Sequence, residues 1–313
     1  MKERAAYLCN LKLALLVLVV LGHSLEQTGG RGSLLYRGIY LFHMPLFAFV
    51  SGLFLKTKKQ CLRQAKTALA LYLPTQSAAL LFQRLIGQAL HPLTPFWHLW
   101  YLLSLFWWSL LAALCCALLR RFPRAAPALF LISAAAALLG GLLPAGRVLS
   151  LSRTLVFFPY VLLGLLCPKE LANGPSLRCR VALIAAGLAG LIPAAALLSL
   201  APTAFLYRAD SFAALALTVG EGMLLRALCL SAACGMGALL LALIPARRLS
   251  VSAIGGDTLP AYLLHVLFLP PLALFWPGWS PVWLAVFSFG VVLILWELFR
   301  WLRPIYTLRR PSS

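Results

Sequence analysis

Charged residues are scarce in this chain, and acidic residues are the scarcest. Only 11% of its 313 residues are charged, and seven Asp and Glu stand against 27 Lys and Arg, a formal net charge of +20. A soluble domain has about 25% charged and about 45–50% apolar residues. The apolar share here is 62% and the mean hydropathy is +0.93. These values exclude a water-soluble globule, a disordered chain and a coiled coil, and they predict an all-α polytopic membrane protein.

The motifs of several enzyme classes are missing as well. No G-x-S-x-G, H-E-x-x-H or G-x-x-x-x-G-K-[ST] string occurs, which argues against a serine hydrolase, a zinc protease or a P-loop enzyme. The eight cysteines form no C-x-x-C pair, which favours reduced thiols packed as small apolar side chains. We therefore expect no metal, and we expect the basic charge to serve the membrane rather than nucleic acid.

Ten apolar stretches are long enough to cross a bilayer, since a membrane helix needs about 20 such residues. They lie at 8–27, 36–55, 67–88, 96–119, 126–144, 151–167, 181–201, 222–244, 257–275 and 282–300. The segment 201–222 is ambiguous, so nine or eleven spans also fit. No linker or repeat divides the chain, which predicts one membrane domain over 1–313.

The basic residues fall mainly in alternate loops. With the N-terminus placed in the cytoplasm, nineteen of the 27 Lys and Arg lie on the inner side and seven on the outer side. Cytoplasmic loops carry such an excess. We therefore expect both termini in the cytoplasm and a multi-pass protein of the cell membrane, most simply a bacterial plasma membrane.

The first predicted span holds three ionisable residues, Lys12, His23 and Glu26. Insertion scales give a cost of about 2.5–3.5 kcal/mol for a central Lys or Arg in a membrane helix, so each is a functional candidate. Lys12 and His23 share one helix face, about 16 Å apart along the axis. His23 and Glu26 stand at i, i+3, so the carboxylate can orient the imidazole. Taken singly, Lys12 could instead extend to the surface and His23 could bond a neighbouring helix.

Other polar residues lie mainly near the predicted outer ends of spans. They are His43, His98, Arg153, Arg226 and, near the middle of the ninth span, His265. This asymmetry predicts a cavity that opens outward, with a narrower path to the cytoplasm past Lys12. Arg153 is a functional candidate, because a guanidinium at the outer end of an apolar span needs a reason to be there.

Five strings in order resemble the acyltransferase-3 family of integral membrane acyltransferases, and most closely its fucose 4-O-acetylase-like branch. That family has Arg, ten residues and His in its first helix; Lys12 and His23 fall on those positions, with Lys in place of Arg. The other strings are Phe42-His43-Met44-Pro45-Leu46-Phe47 followed by Ser51-Gly52, Trp97-His98-Leu99-Trp100-Tyr101-Leu102-Leu103, Ser152-Arg153-Thr154 with Phe158-Pro159-Tyr160 and Leu163-Gly164, and Leu259-Pro260-Ala261-Tyr262-Leu263-Leu264-His265.

The resemblance implies transfer of an acyl group from cytoplasmic acyl-CoA, such as acetyl-CoA, to a hydroxyl of a carbohydrate or cell-envelope acceptor outside. Membrane lipid is the other expected partner. Together with the polar residues of the spans, which add Glu26 and Arg226, it predicts His23, Glu26 and Arg153 for catalysis, Lys12 and His43 for the donor, and His98, Arg226 and His265 for the acceptor. His23 would act as a general base or as a transient acyl carrier. Because Lys lacks the bidentate fork of Arg, Lys12 would hold the donor as a point charge.

Two other functions fit part of the pattern. A polysaccharide or lipid-linked sugar exporter would also need a polar membrane interior, although such transporters are built from inverted repeats with broken helices, and no such repeat is visible here. A membrane sensor or scaffold explains the spans but gives no purpose to Lys12, His23, His43 or Arg153.

Overall fold

The computed structural model describes residues 6–269 and 280–307 of the chain. Within these ranges the backbone is helical or irregular and forms no strand. The lipid interior offers no hydrogen-bond partners, so a spanning segment must satisfy its backbone groups within itself, as a helix does. The apolar stretches therefore fold as helices.

Ten α-helices follow one another in the described ranges. They are α1 (Ala6–Gln27), α2 (Leu34–Leu53), α3 (Lys58–Leu85), α4 (Trp100–Arg121), α5 (Ala126–Leu139), α6 (Leu151–Leu166), α7 (Leu177–Leu200), α8 (Val219–Leu243), α9 (Leu259–Leu264) and α10 (Pro281–Thr307). All of them except α3 and α9 are, with short flanking turns in some cases, long and apolar enough to cross a membrane. The prediction of an all-α polytopic membrane protein is confirmed.

Helix α3 covers the predicted third span but is more polar than the others. It begins at Lys58 rather than at residue 67 and runs for 28 residues. The side chain of Gln76 donates to the carbonyl of Thr94 and accepts from the backbone N–H of Phe96. These bonds attach α3 to the segment that leads into α4, so a polar residue within an apolar stretch has a structural use.

The predicted ninth span, 257–275, is wrong in its described part, and residues 270–279 lie outside the described ranges. Helix α9 ends at Leu264 after six residues, and the 3-10 turn His265–Leu267 follows. At this break His265 Nδ1 lies 2.6 Å from the carbonyl oxygen of Tyr262 and 3.2 Å from that of Ala261.

The ambiguous segment after α7 contains no long helix. Two 3-10 turns, Thr203–Tyr207 and Ala213–Leu215, are separated by Arg208, which has a left-handed φ of 54°. Phe205, Arg208 and Phe212 are nevertheless buried. An irregular backbone at membrane depth is tolerated where protein surrounds it, so this segment is a packed loop.

The chain divides into two compact units. Unit 1 comprises Met1–His43, Glu170–Ala185 and Ala238–Ser313, and unit 2 comprises Met44–Lys169 and Ala186–Gly237. A single membrane domain over 1–313 stays a prediction.

In unit 1, α1 packs against α10 and against the 3-10 turn Ser250–Gly256. Asn10 fixes the second contact: its Nδ2 donates to the carbonyls of Pro245 and Arg247, and its Oδ1 accepts from Ser252 Oγ at 2.6 Å. Gly255 is required there, because a β-carbon would overlap the carbonyl of Cys9. These contacts hold the first half of α1.

In unit 2, α4 packs on α3 and α6, and α6 also packs on α5. Helices α2 and α6 approach closely where Gly52 faces Gly164, since a β-carbon at either would overlap a backbone carbonyl of the other helix. Small residues permit such contacts in membranes. The Nζ of Lys56 donates to the carbonyls of Gly164, Leu165 and Cys167 at 2.6–2.8 Å. A cation thus caps the last turn of α6.

Candidate active site

A histidine and a glutamate contact each other near the C-terminal end of α1. His23 Nδ1 lies 3.4 Å from Glu26 Oε2. The other carboxylate oxygen of Glu26, Oε1, accepts from Arg31 Nη2 at 2.8 Å. The side chains of His23 and Glu26 are each 13% exposed, so a substrate can reach them. A carboxylate that faces Nδ1 holds the proton there and leaves Nε2 as the basic atom of the ring.

Tyr40 of α2 joins this pair. Its hydroxyl donates to Glu26 Oε2 at 3.1 Å and lies 3.4 Å from His23 Nδ1. Gly22 makes room for the tyrosine, because a β-carbon at Gly22 would lie 3.1 Å from the Tyr40 ring. Tyr40 was not among the residues predicted from the sequence. Its signal was its position one turn before His43 on the same helix, where i, i+3 side chains meet.

His43 and His265 are buried, and in each ring one nitrogen is hydrogen-bonded to a backbone carbonyl oxygen. His43 Nδ1 lies 2.6 Å from the carbonyl oxygen of Ile39, and His265 Nδ1 lies 2.6 Å from that of Tyr262. A carbonyl oxygen can only accept, so Nδ1 is the donor in both rings. The His265 ring lies beside that of His23, with centroids 5.3 Å apart.

His43 is linked to the same group through Tyr40, whose ring lies edge-on to it at 5.1 Å. Four predicted residues, His23, Glu26, His43 and His265, therefore come together around Tyr40 in unit 1. Lys12 is three turns earlier on α1, half-buried, with Nζ 3.5 Å from the carbonyl of Gly256. The structure thus keeps Lys12 about 16 Å along the helix from His23, as the spacing predicts.

Arg153 lies in unit 2, in the first turn of α6. Its Nε donates to the carbonyl of Tyr207 at 3.0 Å, and its Cζ lies 4.7 Å from the centre of the Trp100 ring. Cation–π contacts of this kind contribute about 0.5–2 kcal/mol. The guanidinium is thereby fixed against a flat aromatic surface and one backbone carbonyl.

The backbone immediately before α6 is strained. Leu149 and Ser150 have φ of 49° and 57°, a left-handed conformation that costs a non-glycine residue about 1 kcal/mol or more. Ser150 Oγ lies 2.9 Å from Ser104 Oγ of α4, which supports the turn. Such strain concentrates at functional sites, and here it sets the start of the helix that carries Arg153.

Two other arginines of unit 2 are almost wholly buried. Arg226, on α8, is 1% exposed, and Arg208, in the packed loop, is 2% exposed. Arg226 was predicted as a site residue, whereas Arg208 was only one of the seven basic residues predicted on the outer side. Loop residues carry no periodicity that signals burial, so only the fold could identify Arg208.

His98 is buried in the 3-10 turn Trp97–Leu99, and its ring lies edge-on to that of Trp97. Its role in acceptor binding stays a prediction.

All eight cysteines are free thiols. Across residues 6–269 and 280–307, no cluster of three or more His, Cys, Asp or Glu side chains could hold a metal ion.

A basic groove of about 690 Å³ opens in unit 2, at the N-terminal end of α3 and the C-terminal end of α4. Its lining residues are Thr57, Lys58, Lys59, Leu62, Arg63, Lys66 and Arg120. Five cations therefore face one groove with no acidic residue among its lining. This arrangement attracts polyanions.

Comparison with known proteins assigns this architecture to a class. A scan against family models matches the acyltransferase-3 model, described as an acyltransferase domain, over residues 6–301. The match spans nearly the whole chain, so the protein is a membrane acyltransferase. More particularly, it belongs to the acyltransferase-3 family, which confirms the resemblance at the level of the family. Neither the curated proteins nor the solved structures gave a match.

Proposed function

We propose that the protein is an O-acyltransferase of the fucose 4-O-acetylase-like branch. It moves an acyl group, most simply acetyl, from cytoplasmic acyl-CoA to a hydroxyl of a carbohydrate or other cell-envelope acceptor on the outer side. The observation that carries the proposal is the His23–Glu26–Tyr40 group. An imidazole oriented by a carboxylate is what hydroxyl acylation needs.

The proposed step begins with the acceptor oxygen attacking the thioester carbonyl. His23 Nε2 takes the hydroxyl proton, and Glu26 stabilises the imidazolium that results. The tetrahedral intermediate then collapses: its C–S bond breaks, and the departing thiolate receives the proton from His23. An acyl ester and free CoA remain, so no oxidant or metal is required. Tyr40 is a positioning residue here, because its hydroxyl contacts Glu26 rather than the reacting atoms.

The other predicted residues take supporting roles in this proposal. Lys12 attracts the donor by its charge, and His43 assists donor binding. His98, Arg226 and His265 bind the acceptor. Arg153 is proposed to donate to the oxyanion, and its contacts with Tyr207 and Trp100 hold the guanidinium in place.

The basic groove supports an anionic donor. CoA carries a diphosphate and a further phosphate, and charge-assisted hydrogen bonds from Lys and Arg to phosphate are among the strongest in proteins. The five cations of the groove lie on the side that the charge distribution predicts to be cytoplasmic. Acyl-CoA is found on that side, so the groove is proposed to hold its nucleotide end.

The test uses purified protein, labelled acetyl-CoA and methyl glycosides as acceptors, both neutral ones such as methyl fucoside and acidic ones such as methyl glucuronide. Removal of a general base costs about 10²–10⁴-fold in rate, so His23→Ala should lose detectable transfer while acetyl-CoA binding persists. His91→Ala is the matched control, because His91 is exposed in a loop. Transfer by His23→Ala at the wild-type rate would refute the mechanism. Sugar transport without acylation would instead favour an exporter.

A second experiment identifies the natural acceptor. Surface glycans from cells with and without the protein are compared by mass spectrometry. A mass increment that depends on the protein would identify the acyl group and its carrier. Unchanged masses, in cells that also show acetyl-CoA turnover by the protein, would direct the search to small soluble acceptors.

A further inference from the structure

Arg226 is a buried cation without a counter-charge in the described part of the chain. Its Nε and Nη1 atoms are fully buried and have no hydrogen-bond partner there. Glu221, the acidic residue nearest in sequence, is exposed and accepts from the backbone N–H and hydroxyl of Thr218. The guanidinium instead lies over two aromatic rings, 4.6 Å from the centre of Phe205 and 5.7 Å from that of Phe212.

A second guanidinium lies close by. Arg208 Nη2 donates to the thiol of Cys229 at 2.9 Å, and Cys229 is one turn after Arg226 on α8. Arg208 also donates from Nη1 to the carbonyl of Leu206 and lies over the ring of Phe157 at 5.1 Å. Two cations thus lie in one buried, aromatic environment in unit 2.

This arrangement is unfavourable as it stands. An uncompensated buried charge is strongly unfavourable, and cation–π contacts with the two rings compensate for it only in part. The nearby like charge adds repulsion. An anion placed between the two guanidinium groups would satisfy the orphaned donors of Arg226 and neutralise the repulsion, because Arg forms bidentate bonds with carboxylates and phosphates.

We propose that Arg226, with Arg208 beside it, binds a fixed anionic group, carboxylate or phosphate, on the acceptor. Assigning that anion to the acceptor depends on the proposed function and on the predicted orientation, in which α8 starts on the outer side with Arg226 in its second turn. The acceptor is then an acidic sugar or a phosphate-bearing envelope component rather than a neutral sugar.

Three sugars that differ at a single carbon test this proposal. D-Glucose, D-glucuronate and D-glucose 6-phosphate are titrated into the purified full-length protein in neutral detergent at constant ionic strength, without any acyl donor. Binding is measured by calorimetry and by the shift in unfolding temperature. Arg226→Gln removes the positive charge. Arg226→Lys keeps the charge but cannot form the two parallel hydrogen bonds of a guanidinium. Arg84→Gln, at an exposed arginine, is the matched control.

Wild-type protein and Arg84→Gln should bind one of the anionic sugars at least about tenfold more tightly than glucose, since a hydrogen bond to a charged group contributes about 1.5–3 kcal/mol. The anion preferred distinguishes carboxylate from phosphate. Arg226→Gln should abolish the difference, and Arg226→Lys should keep part of it.

Equal binding of all three sugars by the wild type, or a preference that survives Arg226→Gln, would overturn the proposal. If Arg226→Gln does not fold, two other results decide. Inorganic phosphate should displace the anionic sugar from the wild type, and Arg226→Lys should bind that sugar more weakly than the wild type does. Failure of either would overturn the proposal. Acyl transfer is not measured, so failure of this binding test leaves the His23 mechanism standing. Failure of the His23 mechanism would likewise leave the anion site at Arg226 standing.

Discussion

Replacing Glu26 with Gln separates the charge of this residue from its shape. The amide keeps the size of the side chain and an oxygen that can accept from Tyr40, but it loses the negative charge beside His23. Glu26 Oε2 and His23 Nδ1 are 3.4 Å apart. At that distance unit charges attract by about 5 kcal/mol at an effective dielectric of 20 and by about 1 kcal/mol in water.

The expected loss lies between these limits. Both side chains are 13% exposed, and Arg31 and Tyr40 already compensate part of the carboxylate charge. We expect a loss of about 1.4–2.7 kcal/mol of transition-state stabilisation, which is about a 10- to 100-fold fall in kcat. KM for acetyl-CoA should stay unchanged, because Glu26 acts through His23 rather than on the donor.

Initial rates of acetyl transfer, measured at saturating acceptor across a range of acetyl-CoA concentrations, provide the assay. Glu297→Gln is the matched control. Glu297 forms an i, i+3 pair with Arg300 at 2.8 Å, but both side chains are exposed, at 44% and 58%. A wild-type kcat for Glu26→Gln, or a rise in KM with no change in kcat, would refute the assigned role.

Four other outcomes follow from the structure. Arg153→Lys should lose most activity while the protein stays folded, because the ammonium group of lysine is neither planar against Trp100 nor able to donate two parallel hydrogen bonds. Full activity of Arg153→Leu would contradict the role assigned to Arg153. Lys12→Ala should raise KM for acetyl-CoA, whereas Lys12→Arg, which restores the residue typical of the family, should not. Lys56→Met should lower the free energy of unfolding by about 1–3 kcal/mol, because the carbonyls of Gly164, Leu165 and Cys167 at the end of α6 lose their donor; an unchanged melting temperature would count against this cap. Replacing Arg63 and Lys66 together by Gln should raise KM for acetyl-CoA but not for acetyl-pantetheine, which lacks the phosphates of the nucleotide.

The sequence alone was sufficient for what depends on neighbouring residues. Apolar runs of membrane length predict helices because lipid leaves the backbone no other partner. The His23–Glu26 contact follows from a three-residue spacing on one helix, and the separation of Lys12 from His23 follows from the rise per residue. The family strings are likewise local, and the family match confirms the family that they indicate.

Tertiary structure decided whatever depends on residues distant in sequence. Local periodicity does not show that Tyr40 reaches Glu26, or that the ring of His265 lies beside that of His23 from the far end of the chain. It also predicted an unbroken ninth span, whereas α9 ends at Leu264 and a 3-10 turn follows. Arg208 gives the clearest case. In the sequence it is a cation in a loop between two spans, and only the packing of that loop buries it beside Arg226, because burial is set by long-range contacts.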